Sequence, residues 1–333
     1  VPATERHSVS ESPPPTMKAL VHHHYGGPER LGVENVAVPE PGPKQVRIAL
    51  HAASVNAADW RLLRAEPFVI RLSGTGVFRP RHGTLGLDGA GVIDAVGTDV
   101  TDLRLGDAVF GEFGRGAFAE FAVGDPTKFA RKPDAIDFAT AATLPVAGTT
   151  ALQGLRDVAK LQAGERVLIN GASGSVGSFA VQIAKALGAH VTGVCSAEKT
   201  DLVRSLGADA TIDHRAEDYT KRDETWDVVF DLALKRPGRE VERALTPKIG
   251  RHVVVGADGD RLLQSVLRAA LRRPVRMFVA EARREDLETL AQMVVDGVLR
   301  PAIEDRVPLE RAADAIRRVD EGTARGKIVV EVT

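Results

Sequence analysis

The sequence is poor in residue types that would indicate several kinds of site. It contains a single cysteine, Cys195, in 333 residues, which excludes an intrachain disulfide and any zinc site built from several cysteines. Aromatic residues make up 5% of the chain, so platforms for stacking nucleic-acid bases are not expected. The formal net charge of −1 provides no basic field for nucleic acid or for an anionic membrane surface.

Long apolar runs are also missing. None approaches the roughly 20 residues that span a bilayer, and the first sixteen residues lack the apolar segment of a secretory signal. Those sixteen residues are polar and include prolines at positions 13–15. We therefore expect a disordered leader over 1–16, a fold that begins at Met17, and a cytoplasmic protein. The length favours two domains over a single core.

The most informative run is NGASGSVG, residues 170–177. It joins an apolar strand pattern at 166–170 to an apolar helical pattern at 178–187, and a second strand pattern follows at 190–195. At such a junction, backbone N–H groups and the helix dipole bind the pyrophosphate of a dinucleotide. A connecting loop without a ligand is the less favoured alternative. The predicted cofactor contacts of the turn are Gly171, Ala172, Ser173, Gly174, Ser175, Val176 and Gly177.

The pattern of the chain changes near Ile136. Before it, short β patterns alternate with glycine and proline, which predicts an antiparallel, partly closed β domain. After it, strands alternate with helices, which predicts a parallel sheet covered on both faces. The strands of this sheet are expected at 167–170, 191–195, 210–213, 227–233, 252–256 and 275–279. Helices are expected at 286–295 and 309–320, and a last strand, 326–332, is expected to pair with the first domain.

Several segments occur in the order typical of one family. They include HAASVNAADW, GLDGAGVIDAVG, AATLPVAGTTALQGL and the C-terminal GKIVVEV. Over residues 17–333 the chain resembles the zinc-free quinone reductase branch of the medium-chain dehydrogenase/reductase superfamily. The resemblance implies an α/β protein with a GroES-like catalytic domain at 17–137, completed by 283–333. A Rossmann-type domain with a doubly wound parallel sheet would occupy 138–282, and a homodimer is expected.

The residue types at two positions argue against a catalytic metal. Zinc-dependent relatives place a cysteine at Asn56 and a His-Glu pair at Leu87-Asp88, and neither asparagine nor leucine supplies the thiolate or imidazole that zinc needs. We therefore expect no metal. Without a Lewis acid, the acceptor must already be electron-poor. The expected reaction is hydride transfer from a nicotinamide to a quinone or to the β-carbon of an α,β-unsaturated carbonyl.

The resemblance also implies particular catalytic residues. It places Asn56 and Asp59 beside the nicotinamide and assigns the hydroxyl that holds the ring to Thr150, with Thr149 as the weaker candidate. The amide of Asn56 could donate to the acceptor oxygen or could pin a turn. Asp59 is expected to organise its neighbours rather than to transfer protons. Val255 and Gly256, at the end of a predicted strand, are expected to contact the cofactor.

The choice of cofactor depends on the end of the strand at 190–195. An NAD enzyme places an acidic residue there, whereas this strand is followed by Ser196 and Lys199. A hydroxyl and a cation suit a 2′-phosphate, which favours NADPH. The family has a tyrosine where this chain has His214, so that contact differs. Glu198, which could reach a ribose, and an ordinary exposed role for Lys199 are the alternatives.

Two other functions remain open at this point. The same scaffold suits a pathway-specific enoyl reductase or tailoring reductase, because a fold does not determine its substrate. A non-catalytic member that only binds NADPH is the third possibility. In each case the expected partner is a small electrophilic molecule or the cofactor alone, and neither nucleic acid nor a membrane is expected.

Overall fold

The described part of the chain is built around two large sheets of different kinds. The structure is a computed structural model and describes residues 15–66, 71, 76–81, 83–255 and 274–332. One sheet has seven strands and is mainly antiparallel, the other has six parallel strands, and a two-stranded sheet accompanies them. None of the helices in these ranges combines the length and apolar character that crossing a bilayer requires.

The mainly antiparallel sheet has the order β14-β15-β3-β4-β5-β7, with β6 paired to β3. Its strands are β3 (Val46–Ser54), β4 (Asp88–Val96), β5 (Ala108–Glu112), β6 (Phe121–Gly124), β7 (Phe129–Arg131), β14 (Ile303–Pro308) and β15 (Lys327–Glu331). The small sheet pairs β1 (Thr16–Val21) with β2 (Gly32–Ala37). A pattern of alternately buried residues on β3 directs Val46, Ile48 and Leu50 into a core beneath the sheet.

The last strand of the chain returns to this first sheet, as its sequence position predicts. β15 pairs antiparallel with β3 and parallel with β14. The sequence did not predict β14, because its polar residues Glu304, Asp305 and Arg306 interrupt the apolar pattern. It lies at the edge of the sheet, where charged side chains are favoured because they discourage pairing with other chains.

The parallel sheet has the order β10-β9-β8-β11-β12-β13. Its strands are β8 (Arg166–Asn170), β9 (His190–Cys195), β10 (Ala210–Asp213), β11 (Val228–Asp231), β12 (Arg251–Val255) and β13 (Val275–Phe278). Their positions agree with the sequence prediction to within a residue or two, except that β11 ends early. It ends at Asp231 because the carboxylate of that residue accepts a hydrogen bond from the Leu234 N–H (2.9 Å) and turns the chain.

Helices cover both sheets and connect them. They are α1 (Ala57–Arg64), α2 (Phe138–Ala142), α3 (Thr149–Gln153), α4 (Ser175–Ala186), α5 (Thr200–Ser205), α6 (Gly238–Arg243), α7 (Arg284–Val295) and α8 (Ala312–Asp320). α4 starts three residues earlier than its apolar pattern predicts, since the glycine turn leads directly into it. α7 and α8 lie close to the predicted ranges.

One helical run, residues 138–159, passes between the two sheets. Two wide, π-helical turns, Leu144–Gly148 and Gly154–Ala159, flank α3 within it. The run is almost entirely buried, and it packs so closely that a Cβ at Gly154 would lie 2.5 Å from the Phe230 ring. π-helical turns often mark functional positions. The turn at Leu144–Gly148 places Val146, and Thr150 shortly after it, at the junction of the sheets.

The strand pairing supports the proposed division into 17–137, 138–282 and 283–333. We keep these boundaries as a proposal. Of the expected leader, residues 1–14 lie outside the described residues, and Thr16 already belongs to β1.

Candidate active site

The two sheets meet at a cavity of about 460 Å³. One wall consists of α1 and the residues that follow β5, and the other consists of the buried helical run and the ends of β12 and β13. The carboxyl ends of parallel strands are where α/β proteins commonly bind ligands. The cavity brings together three predicted residues, Thr149, Thr150 and Val255. Three further lining residues had no predicted role: Arg61, Glu112 and Arg115.

Two adjacent threonines differ in what their hydroxyls do. Thr150 Oγ1 donates to the carbonyl of Val146 at 2.6 Å, so its proton is already used within the helical run. Thr149 is only 1% exposed and lines the cavity, and its Oγ1 has no hydrogen-bond partner among the described residues. A buried hydroxyl without a partner costs free energy unless a ligand satisfies it. The geometry therefore favours Thr149 over Thr150 as the donor to a ligand, the reverse of the expected order.

Asn56 lies behind the cavity wall in a buried polar cluster, where its amide is fully engaged. Its Nδ2 donates to the carbonyl of Ser54 (3.1 Å) and to Oδ1 of Asp88 (2.8 Å). Its Oδ1 accepts from Nζ of Lys327 (2.8 Å). Both amide hydrogens are thus used within the cluster. This geometry favours the second of the two roles considered for Asn56, pinning the chain before α1, over donation to an acceptor oxygen.

Asp59 belongs to the same cluster and stabilises the start of α1. Its Oδ2 accepts from the backbone N–H of Asn56 at 2.7 Å, an arrangement typical of a helix N-terminus. The side chain is completely buried. Burial, together with the nearby negative charge of Asp88, raises the pKa of Asp59 to about 7. The contact with Asn56 supports the role expected for Asp59, which is to organise its neighbours.

The cluster is completed by two residues that had no predicted role in the site, Asp88 and Lys327. Asp88 accepts from Ser54 Oγ (2.7 Å) through Oδ1 and from the Val146 N–H (3.1 Å) through Oδ2. Lys327 is fully buried and also donates to the carbonyl of Val55 at 3.2 Å. Burial raises the pKa of Asp88 and lowers that of Lys327, while each charge partly offsets the effect on the other. The signal in the sequence that could have identified Lys327 was its position, a charged residue at the start of the apolar run KIVVEV.

The glycine turn has the backbone geometry that a close helix requires. Gly171 has a φ of +92°, which favours glycine. A Cβ at Gly177 would lie 2.1 Å from the carbonyl oxygen of Gly171, so only glycine lets α4 start this close to the turn. The N–H groups of Gly171 and Ala172 both donate to the carbonyl of Val194 (3.1 and 3.0 Å), which anchors the turn to β9.

The start of α4 fits an anion. The Ser178 N–H donates to the carbonyl of Gly174 at 2.9 Å, which is the first hydrogen bond of the helix. The N–H groups of the three residues before it, Ser175, Val176 and Gly177, therefore have no partner within the helix. The Ser175 hydroxyl is also buried, and it has no partner within the described ranges. These donors fit the pyrophosphate of a dinucleotide cofactor.

The residues expected at the 2′-phosphate lie together at the ends of β9 and β10. Ser196 is buried directly after β9, and the N–H of the exposed His214 donates to the Cys195 carbonyl at 3.0 Å. Lys199 Nζ donates to the carbonyls of Gly322 (3.0 Å) and Ala324 (2.9 Å). Lys199 is therefore not an ordinary exposed lysine, since it also holds the C-terminal segment.

Glu198, the residue that could disfavour a phosphate, is paired. Its Oε2 lies 3.2 Å from Nη1 of Arg215, which partly neutralises its charge. Val255 lies on the cavity wall. Gly256, the remaining predicted cofactor contact, lies outside the described residues.

At the positions that correspond to zinc ligands in related enzymes, this chain has side chains of other types. Asn56 is bound to Lys327, and Leu87 lines the cavity with an apolar side chain. In the part of the chain that the structure describes, no three His, Cys, Asp or Glu side chains form a group that could hold a metal ion.

Comparison with known proteins agrees with this architecture. The family model described as "Alcohol dehydrogenase GroES-like domain" matches residues 42–134, and the one described as "Zinc-binding dehydrogenase" matches residues 206–330. A chloroplast envelope quinone oxidoreductase homolog of Arabidopsis thaliana is 33% identical, over 95% of this chain and 98% of its own length. A chloroplastic NADPH-dependent alkenal/one oxidoreductase of the same plant is 32% identical, over 97% of this chain and 81% of its own length.

The solved structure of a quinone oxidoreductase from Coxiella burnetii superposes with a TM-score of 0.87 at 28% identity, covering 96% of this chain and all of the other. The fold is thus shared over almost the whole length of both chains. The chain belongs to the medium-chain dehydrogenase/reductase superfamily and is an oxidoreductase of its NAD(P)H-dependent, quinone oxidoreductase-like group.

Proposed function

We propose that the protein is an NADPH-dependent reductase that transfers hydride to a quinone or an α,β-unsaturated carbonyl without zinc. The observation that carries the proposal is the pair of unpartnered buried hydroxyls, Ser175 at the glycine turn and Thr149 on the cavity wall. They place one unsatisfied donor at the pyrophosphate position and another where the sheets meet. A dinucleotide bound from the turn toward the cavity would satisfy both.

Each part of the site has a role in this proposal. The cofactor, when bound, supplies the hydride. The glycine turn, with Ser196, Lys199, His214 and Val255, would bind the cofactor, and Thr149 beside Thr150 would orient its reactive end. The charge that develops on the acceptor oxygen would be stabilised by the cationic side chains of Arg61 and Arg115 on the cavity wall. The cluster of Asn56 and Asp59 would hold the wall in position.

Lys327 supports the zinc-free part of the proposal. Its ammonium nitrogen lies 2.8 Å from Asn56 Oδ1, at the position from which a related enzyme would bind zinc. A divalent cation placed there would face a buried positive charge. Chelators should therefore leave turnover unchanged.

The preference for NADPH is supported by the charges around β9. Glu198 is paired with Arg215, and Lys199 supplies a third N–H beyond the two that it donates to carbonyls. The relative named as an NADPH-dependent alkenal/one oxidoreductase supports both the cofactor and the class of acceptor.

The test is steady-state oxidation of NADPH and of NADH with a quinone and with an alkenal, before and after treatment with a chelator. We expect turnover with at least one acceptor class, a lower KM for NADPH, and no effect of the chelator. Binding of NADPH without turnover of either class would instead support the non-catalytic alternative. A narrow preference for one conjugated thioester would support the pathway-specific enoyl reductase.

We further propose a homodimer that forms through the parallel sheet. β13 pairs only with β12 among the described strands, so its other edge offers unpaired backbone groups to a second copy. Light scattering after gel filtration tests the mass of the assembly. A cytoplasmic location and the lack of nucleic-acid or membrane partners stay predictions.

A further inference from the structure

Glu112 is a carboxyl group in the cavity that the fold does not use. It is the last residue of β5 and lines the cavity beside Arg115. The side chain is half-buried, and it makes no hydrogen bond or salt bridge with any described residue. Buried or partly buried carboxyls normally have partners. One that faces an acceptor cavity without a partner is therefore a candidate for chemistry with the acceptor.

The charged groups around Glu112 come from several elements. Asp88 lies opposite it in the ladder between β4 and β5, Lys128 follows β6, and Arg61 and Arg115 line the same cavity. Burial raises the pKa of Glu112, Asp88 raises it further, and Lys128 lowers it in part. Glu112 therefore retains its proton to a higher pH than an exposed glutamate would.

The proposed reaction needs such a proton for one class of acceptor. When hydride adds to the β-carbon of an α,β-unsaturated carbonyl, the electron pair of the C=C bond moves toward the carbonyl and leaves an enolate. A new C–H bond must then form at the α-carbon, which requires a positioned acid. A reduced quinone carries its charge on oxygen, which water protonates directly. Thr150 cannot serve as this acid, because its hydroxyl already donates to Val146.

We propose that Glu112 is the general acid that protonates the α-carbon, and that the acceptors of this protein include α,β-unsaturated carbonyls. This inference rests on the proposed function. The carboxylic acid O–H bond breaks and the α-carbon C–H bond forms, so the enolate becomes the saturated carbonyl. Glu112 is left as a carboxylate and regains a proton from water through the open side of the cavity. Glu112 is the sole carboxylate among the described residues that line this cavity.

The test compares the wild type with Glu112→Gln, using trans-2-hexenal and 1,4-naphthoquinone as acceptors. We expect kcat with hexenal to fall by about 100-fold, in line with the usual contribution of a general acid, while kcat with the quinone changes little. The KM for NADPH should stay the same. In the wild type, kcat with hexenal should fall as the pH rises and Glu112 ionises, and this limb should disappear in the variant. Glu112→Asp should restore part of the activity with hexenal.

Glu281→Gln serves as the matched control, because Glu281 is 73% exposed and pairs with Arg283 at 3.4 Å. This variant should behave like the wild type. A readout independent of turnover is the infrared carboxylic acid band of the protein without cofactor, followed against pH. A component that titrates in the wild type and in Glu281→Gln should be missing from Glu112→Gln.

The outcomes separate the two proposals. Equal loss with both acceptors in Glu112→Gln would mean a structural role and would overturn the general acid. Reduction of the quinone but not of hexenal by the wild type would overturn the acceptor class while the proposed function stands. Turnover of neither acceptor by the wild type would contradict the proposed function itself.

Discussion

At the scale of single residues, the buried cluster around Lys327 dominates the energetics of the site. One ammonium group lies among two buried carboxylates, Asp59 and Asp88. Removing one partner of a buried ionic group is costly because the other charges stay buried without compensation. The same cluster holds the Val146 N–H, and Val146 in turn accepts from Thr150. Stability and the shape of the cavity wall are therefore coupled.

We predict that Lys327→Met lowers the free energy of unfolding by about 3–5 kcal/mol, since it leaves the carboxylates uncompensated. Urea titration measures the effect. The control is Lys18→Met, because Lys18 forms a surface pair with Glu310 at 3.1 Å and is more than half exposed. Exposed pairs of this kind contribute about 0–1 kcal/mol. Equal effects of the two substitutions would contradict the prediction.

Asp59 should make stability depend on pH. Its pKa in the native protein is about 7, against an ordinary value of 3.8. Between these values the native state holds a proton that the unfolded chain has released, so the contribution of Asp59 to stability falls as pH rises through this window. The free energy of unfolding of the wild type, relative to Asp59→Asn, should therefore decrease from about pH 4 to about pH 7. A difference that stays constant with pH would rule out this titration.

At the scale of elements, the junction between β8 and α4 is the part of the fold that we expect to tolerate substitution least. We predict that Gly177→Ala weakens NADPH binding by roughly tenfold or more, since a Cβ there would lie 2.1 Å from the Gly171 carbonyl oxygen and would push α4 away from the turn. Fluorescence titration with NADPH is the measurement. Gly174→Ala is the control for stability, because its Cβ would lie 3.4 Å from the nearest atom. The Tm of this control should match the wild type, whereas that of Gly177→Ala should fall.

The segment after β9 should determine the choice between the two nicotinamides. We predict that Lys199→Glu weakens NADPH binding more than NADH binding, because it replaces the cation expected at the 2′-phosphate by a negative charge. The substitution also removes the hydrogen bonds to the carbonyls of Gly322 and Ala324. That loss affects both cofactors alike, so the ratio of the two dissociation constants is the readout. An unchanged ratio would contradict the assignment.

At the scale of the whole molecule, the C-terminal segment connects the two sheets. It supplies β15 to the antiparallel sheet, and the Gly326 N–H donates to the carbonyl of Ser173 in the glycine turn at 2.9 Å. A cofactor bound at the turn would therefore stabilise residues that lie far away in the sequence.

We predict that saturating NADPH slows backbone hydrogen exchange over residues 322–330 as well as over the glycine turn, because a ligand stabilises the native contacts of its site. Hydrogen–deuterium exchange with mass spectrometry measures this protection. The internal control is β2 (Gly32–Ala37), which lies in the separate two-stranded sheet and should exchange at the same rate. Protection limited to the turn would argue against the coupling.

Much of the fold could be predicted because its signals are local. The strand at 210–213 was predicted with the bounds that the structure has, since a short apolar run between turn residues has few other arrangements. β14 was missed because Glu304, Asp305 and Arg306 give it no apolar pattern. Thr150 and Val255, both predicted at the site, line the same cavity. The engagement of the Asn56 amide could not be predicted, because its partners Asp88 and Lys327 lie far from it in the sequence.

The sequence alone determined the glycine turn, the alternation of strands and helices, and the residue types that stand at the zinc positions, because these depend on local backbone demands and on side-chain chemistry. Tertiary structure decided which polar groups have hydrogen-bond partners. Lys327 donates to the side-chain oxygen of Asn56 across 271 positions of the chain, while the Ser54 carbonyl and Asp88 accept the two amide hydrogens. Within the described ranges the folded helical run likewise leaves the Thr149 hydroxyl without a partner, and β5 ends with Glu112 at the cavity. Contacts over such separations exist only once the chain has folded.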